Sequence, residues 1–291
     1  MIDGTFAFVK GIGPARERQL WAKGIACWDD YPAQGTVLSK AVDDQIRTGI
    51  ERMRTLVSER RFTEIAGLIP VREHWRFFPH VQDHACYLDI ETTQDGQVTV
   101  IGVYDPVRGP RVYVRGHNLG DFVREPAPLA MITFNGESFD LPILERTFAE
   151  WQPPELHLDL RVVLGQLGER GGLKAIEERL GIGRPQHLRG VDGLGAINLW
   201  NEFKFRRSSS ALRQLLEYNL YDVIQMRSLA ELACARLAQR GGRSWQPEHP
   251  FLRGDILLDI TRTVDAIVSE ARRIEPDTFH DEERHSLRVG W

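Results

Sequence analysis

The sequence predicts an α/β fold, a mixed sheet flanked by helices and preceded by a small all-α region. Three observations carry this. Short segments rich in β-branched and apolar residues follow one another from residue 84, divided by turn signals. Helical patterns then take over up to residue 240, with one short helix crossing between the late strands. Upstream, residues 1–75 show helical texture and no strand alternation.

Taken in order, the all-α part is built around a Gly-rich turn near Gly11 and an Arg-rich stretch from Asp43 to Arg61, of which Arg47 to Arg61 reads as a solvated helix face rather than a binding groove. The segments CYLDIET, VTVIGVYD and RVYVRG read as three strands, separated by QDGQ and PVRGP. A short helix at Leu119 to Arg124 and the turn EPAP lead into a fourth, LAMITFNG, and ELHLDL is the fifth. Helices are expected at Leu160 to Leu167, Gly172 to Leu180, Gly193 to Phe205 and Ser209 to about Arg240. GGRSWQPEHP then reads as a linker and Asp255 to Arg273 as an amphipathic segment. The expected division is 1–75, 84–240 and 241–291.

Of the 291 residues 42% are hydrophobic, enough for a sizeable core. A formal charge of −4 excludes a bulk polycation but not a local basic track. Cys27, Cys86 and Cys234 lie far apart with no CxxC spacing, which argues against structural zinc and a disulfide framework. With no signal-like apolar core and no membrane-length run, a cytoplasmic protein is expected, with no membrane partner.

The chemistry lies in the acids. In YLDIE, alternation along a strand turns Asp89 and Glu91 to one face and Leu88 and Ile90 to the other. Adjacent carboxylates repel, so such a pair wants a cation, although a solvated strand end is the plainer reading of D-I-E alone. In TFNGESFDLP, Asn135-Gly136 makes a turn and Ser138 can cap a helix starting near Phe139, which puts Asp140 in its first turn. A capping acid is the alternative there. In YNLYD, Tyr218 and Asp222 are four apart and share one helical face. Several carboxylates from separate elements suit hard divalent cations and phosphoryl transfer.

These three segments resemble the exonuclease motifs of the DEDD superfamily of 3′→5′ exonucleases, which have a ribonuclease-H-like fold. The Tyr four residues before the last Asp marks the DEDDy branch. NGESFDLP, GGLKAIEERLGI, GLGAINLWNEF and ALRQLLEYNLYDV are similar to its YprB-like group, over roughly residues 84 to 238. The resemblance implies two divalent cations, Mg²⁺ or Mn²⁺, held by Asp89, Glu91, Asp140 and Asp222, with Asp140 acting mainly through a water. It implies that Tyr218 orients the attacking water, and that a nucleoside 5′-monophosphate leaves. Asn135 and Phe139 would shape the pocket for the terminal nucleotide, or serve as a turn Asn and a core Phe. Asp159 reads as the cap of the helix beginning near Leu160.

VKGIGPARERQLWAKGI, Val9 to Ile25, resembles a helix–hairpin–helix. Backbone amides at its Gly11 and Gly13 turn, with Lys10, Arg16, Arg18 and Lys23 adding charge, would bind a DNA backbone, or the motif would only pack helices. Lys204, Arg206 and Arg207 of KFRR stand just before the helix of Tyr218 and could bind substrate phosphates. The expected partner is nucleic acid, with DNA favoured, single-stranded or frayed at its 3′ end. The alternatives are an RNA exonuclease and a nuclease-like binding module with little catalysis.

Overall fold

The computed structural model describes residues 1–246 and 260–276. The N-terminal region holds α1 (Pro14–Ala22), α2 (Lys40–Ser58) and α3 (Phe62–Ala66), and the turn α4 (Phe78–Val81) leads out of it. In α2, Ile46, Ile50, Met53 and Leu56 recur at helical spacing and are all buried. They share one core with Phe6, Leu20 and Trp28. Pro14 is the first residue of α1, where its missing N–H is no loss, and Gly11 takes the positive φ of 88° that the turn before it needs. Ahead of that turn the chain forms one three-residue 3-10 turn, Ile2–Gly4, and not the first helix that a helix–hairpin–helix requires. The Oε1 atom of Glu17 stabilises this segment by accepting from Thr5 Oγ1 and the Phe6 N–H, both at 2.7 Å.

The sheet contains β1 (Ala85–Thr92), β2 (Val98–Asp105), β3 (Gly109–Val114), β4 (Ala130–Thr133) and β5 (His157–Asp159), in the order β3-β2-β1-β4-β5. β2 runs antiparallel to β1 and β3, while β4 runs parallel to β1 and β5. The sheet is therefore mixed, as expected. The remaining helices are α5 (Asp140–Thr147), α6 (Leu160–Gln166), α7 (Leu173–Leu180), α8 (Gly193–Arg206), α9 (Ser209–Arg240) and α10 (Thr261–Ser269). The segment Leu119–Arg124 is a 3-10 helix. Of the amphipathic segment expected over Asp255 to Arg273, residues 255–259 lie outside the described residues.

All of β2 is buried because helices cover both faces of the sheet. Leu88 and Ile90 of β1 join Ile101, Val103, Leu141 and Leu144 in a core beneath α5. Tyr87, one residue out of phase, joins the larger core on the opposite face, where α9 lies. At about 1.5 Å per residue the helix α9 is about 48 Å long. Ser208 caps it, its hydroxyl accepting from the Ala211 N–H at 3.2 Å. A bulge shifts the β1/β2 register at Glu91/Thr92, beside the acids.

Two local arrangements fix the edges and the centre of this layer. On edge strand β3, Asn118 Oδ1 accepts from the Val114 N–H at 2.8 Å and its Nδ2 donates to the Val112 carbonyl at 3.1 Å. Thr263 of α10 donates to the Pro110 carbonyl at 3.3 Å. In the centre, Gly102 lies opposite Asp89 across the β1/β2 ladder. A Cβ there would stand 2.1 Å from Asn219 Oδ1 and 3.0 Å from Val223 Cγ2, so only glycine lets α9 approach. Gly102→Ala is expected to lower stability by about 1–3 kcal/mol in chemical denaturation. An unchanged midpoint would show that α9 is not held this close.

Candidate metal centre

On β1, Asp89 and Glu91 turn towards α9 on the face opposite Leu88 and Ile90. From α9, Asp222 meets them, and one oxygen of each of the three carboxylates lies within 4.8 Å of the others. Asn219, three residues before Asp222, clips the helix to the strand. Its Nδ2 donates to Asp89 Oδ2 at 2.9 Å and to the Asp89 carbonyl at 3.2 Å.

Asp140 is buried as the first residue of α5 and lies outside that three-acid group. Its Oδ1 accepts from the Ile90 N–H at 3.0 Å, which ties α5 to β1. The helix cap expected from Ser138 does not form. Phe139 occupies the N-cap position with no side-chain bond, because the loop is anchored elsewhere. Asp159 is that anchor. Its Oδ1 accepts from the Asn135 N–H at 2.8 Å and the Arg161 N–H at 2.9 Å, and its Oδ2 from the Glu137 N–H at 3.2 Å. Asp159 thus caps α6, as read from the sequence, and also holds the β4–α5 loop.

Burial and mutual repulsion dominate the electrostatics. Burial, followed by the charge of Asp222, raises Asp89 and Glu91 well above the usual carboxylate range. Burial lifts Asp140 to about 7, against the backbone hydrogen bonds that favour its charged form. Tyr218 is raised well above an ordinary phenol, by burial first and then by Asp222, Glu91 and Asp89.

Two cations at the site were not singled out from the sequence. Lys174 of α7 bonds to the Tyr218 hydroxyl, and its Nζ stands 3.5 Å from Asp222 Oδ2. Arg184 pairs with Asp222 Oδ1 and, at 2.6 and 2.9 Å, with buried Glu177. The gathered oxygens of Asp89, Glu91 and Asp222, two from a strand and one from a helix, form an all-oxygen donor set that fits a hard divalent cation. Lys174 and Arg184 supply counter-charge on the α7 side.

The other residues singled out in the sequence are spread more widely. Asn135 adopts the left-handed conformation (φ 67°) and its Oδ1 accepts from Arg161 Nη1 at 2.7 Å, so it shapes the loop ahead of Asp140. Phe139 is 43% exposed, which removes the core-Phe reading. Lys204, Arg206 and Arg207 end α8, about 20 Å along α9 from Asp222 at 1.5 Å per residue. Arg207 is committed to the Ile274 carbonyl at 2.5 Å. Lys10, Gly11, Arg16 and Lys23 are exposed and Gly13 is half-buried. Arg16 donates to the Gly11 carbonyl at 3.1 Å and Lys23 to the Val37 carbonyl at 2.8 Å, so these two brace the turns with the groups expected to meet a phosphate.

A mixed sheet of this order, with an acidic cluster between its central strand and a long helix, is that of a ribonuclease-H-like domain. A family model described as the RNase_H superfamily matches residues 86–234, and the chain belongs to that superfamily. Membership implies a nucleic-acid substrate and, with the acidic cluster, points to nuclease activity that uses divalent metal ions. Comparison with curated proteins and with solved structures gave no match. No helix among the described residues is long and apolar enough to cross a membrane.

Proposed function

We propose that this chain is a metal-dependent 3′→5′ exonuclease of the DEDDy type that removes terminal nucleotides from single-stranded or frayed DNA. The observation that supports it most is the convergence of Asp89, Glu91 and Asp222, with Tyr218 one helical turn from Asp222 and in contact with Lys174. Asp89, Glu91 and Asp222 would hold a pair of Mg²⁺ or Mn²⁺ ions, with Asp140 taking part through a water. When bound, such cations supply the positive charge that acidifies a water and stabilises the departing oxygen.

The protein's own groups would do the positioning. The Tyr218 hydroxyl, braced by Lys174 Nζ, would hydrogen-bond the attacking water and set its direction. Phe139, exposed one residue before Asp140, would stack on the terminal base, and the loop held by Asp159 would fix its place. Asn219 would keep Asp89 from rotating away while the strand end is bound. Lys10 and the Gly11 turn would contact the backbone further along the strand.

The test is mononucleotide release from a 3′-labelled single strand, compared with a 5′-labelled one and with matched RNA, in Mg²⁺ or Mn²⁺. Label is expected to leave as a single nucleotide from the 3′ end, faster from DNA. Tyr218→Phe is expected to lower turnover roughly 10²-fold while cation affinity by calorimetry stays unchanged. Internal cuts, or equal release by wild type and Asp89→Ala, would refute the proposal.

A further inference from the structure

Away from the acidic cluster, a cavity of about 500 Å³ opens where the N-terminal region meets the far end of α9. Ala238 in its wall is sixteen residues beyond Asp222 on α9, about 24 Å at 1.5 Å per residue. The two sites are therefore separate. One face of α1 (Pro14, Glu17, Arg18, Trp21) forms one wall, and the turn carrying Trp75 and Arg76 forms another.

Its charge is unbalanced, with Arg18, Arg72, Arg76, Arg240 and Arg243 lining it against Glu17 and Glu73. Glu17 is taken by Thr5 and the Phe6 N–H. Glu73 is shared by Arg76 at 2.9 Å and Arg72 at 3.7 Å, and Arg243 pairs with Asp3 at 2.6 Å. Arg18 and Arg240 face no carboxylate among the described residues. Arg240 donates instead to the Gln166 and Leu167 carbonyls at 2.7 and 3.1 Å.

Arg76 is the centre of the arrangement. It is 6% exposed, and its guanidinium lies 4.6 Å from the Trp75 ring centroid and 5.9 Å from that of Trp21. Its Nε is bound to Glu73, while its terminal nitrogens meet no partner among the described residues. A planar fork of this kind, held by two indoles, matches the oxygens of a phosphate. The volume falls within the roughly 300–1,000 Å³ of small-molecule sites, and the indoles and Leu237 give an apolar wall for a flat ring.

We infer that this cavity is a second ligand site, specific for a nucleoside phosphate, either free or as the end of a bound strand. The phosphate lies on Arg76 with Arg18 and Arg240 at the rim, and the nucleoside body lies against Trp21. The site stands independently of the catalytic reading, because it shares no residue with the acidic cluster.

The experiment is calorimetric titration of the full chain in EDTA, where no strand is cleaved, with dAMP, deoxyadenosine and inorganic phosphate. Binding of dAMP is expected at least roughly tenfold tighter than either fragment, and weakened by about that factor in Arg18→Glu and in Arg76→Met. Asp89→Ala is expected to leave it unchanged. Arg18 is exposed, so Arg18→Glu decides the matter should loss of the buried Arg76 unfold the chain. If a 5′-phosphorylated oligonucleotide displaces dAMP, the natural occupant is a strand end, and otherwise it is a free nucleotide. Absent dAMP binding, equal binding of either fragment, indifference to the arginine substitutions, or loss with Asp89→Ala alone each overturns the inference. The nuclease assay above fails or succeeds separately.

Discussion

Asp222→Ala is expected to reduce nucleotide release about 10³-fold, equivalent to ~4 kcal/mol of transition-state stabilisation. The effect is large because one side chain serves two ends. It completes the oxygen cluster with Asp89 and Glu91, and it is the shared anion of Lys174 and Arg184. Its removal leaves Lys174 beside the two strand acids, where its charge opposes a bound cation. Cation affinity is expected to fall in parallel, read by calorimetry on the same preparation. Arg184 keeps its pair with Glu177, so the melting temperature should drop only modestly. Wild-type release by Asp222→Ala would remove α9 from the catalytic proposal. Global unfolding would instead show that Asp222 is chiefly a packing partner.

The second large effect is on pH. Asp89, Glu91 and Asp140 have raised values in the folded chain, so above about pH 4 these three groups hold more protons folded than unfolded. Without a divalent cation, the contribution of these three groups to stability should therefore be greatest below the ordinary carboxylate range and be lost as pH rises, for Asp140 through about 7. A cation must displace those protons, so its affinity should climb up to about tenfold per pH unit for each proton released. For a group that titrates at about 7, as Asp140 does, the gain between about pH 6 and about pH 8 is roughly tenfold. Titrations in buffers of different ionisation enthalpy count the protons directly. An affinity and a proton count that do not change with pH would mean the cluster is already ionised.

Most of the domain was legible because its signals are local. VTVIGVYD reads as a strand on composition and turn boundaries, and it forms β2 over the same residues, Val98–Asp105. Ser208 and Gly241 bracket α9, expected from Ser209 to about Arg240 and found there. The failures come where distant chain decides. Ser138 has capping chemistry, but Asp159, over twenty residues on, takes the Asn135 and Glu137 amides and sets the loop without it. GIGP has the residues of a hairpin between helices, yet Thr5 and Phe6 are held by Glu17 and Trp28, and the only helical turn ahead of them among the described residues is the three-residue Ile2–Gly4.

The acids could be paired on paper because strand alternation and helical spacing put Asp89 with Glu91 and Tyr218 with Asp222. Their counter-charges could not. Lys174 and Arg184 sit on a helix and the loop after it, and spacing alone gives them no link to Asp222, 48 and 38 residues away. One usable signal was present. Buried acids need compensating cations, and GGLKAIEERLGI lies between the strands and the helix that carries Asp222. Asn219, three residues before Asp222 and so its neighbour on the helix, bears no charge that would mark it in the sequence, yet it reaches back to Asp89.

The Asn118 side chain has a consequence for how this molecule meets others. By satisfying Val112 and Val114 it imitates the neighbour that an outermost strand lacks, and Pro110 alongside has no amide to offer. A peptide seeking to add itself by backbone pairing finds that rim already occupied. Addition of another chain's strand along this edge, including that of a second copy, is thereby disfavoured.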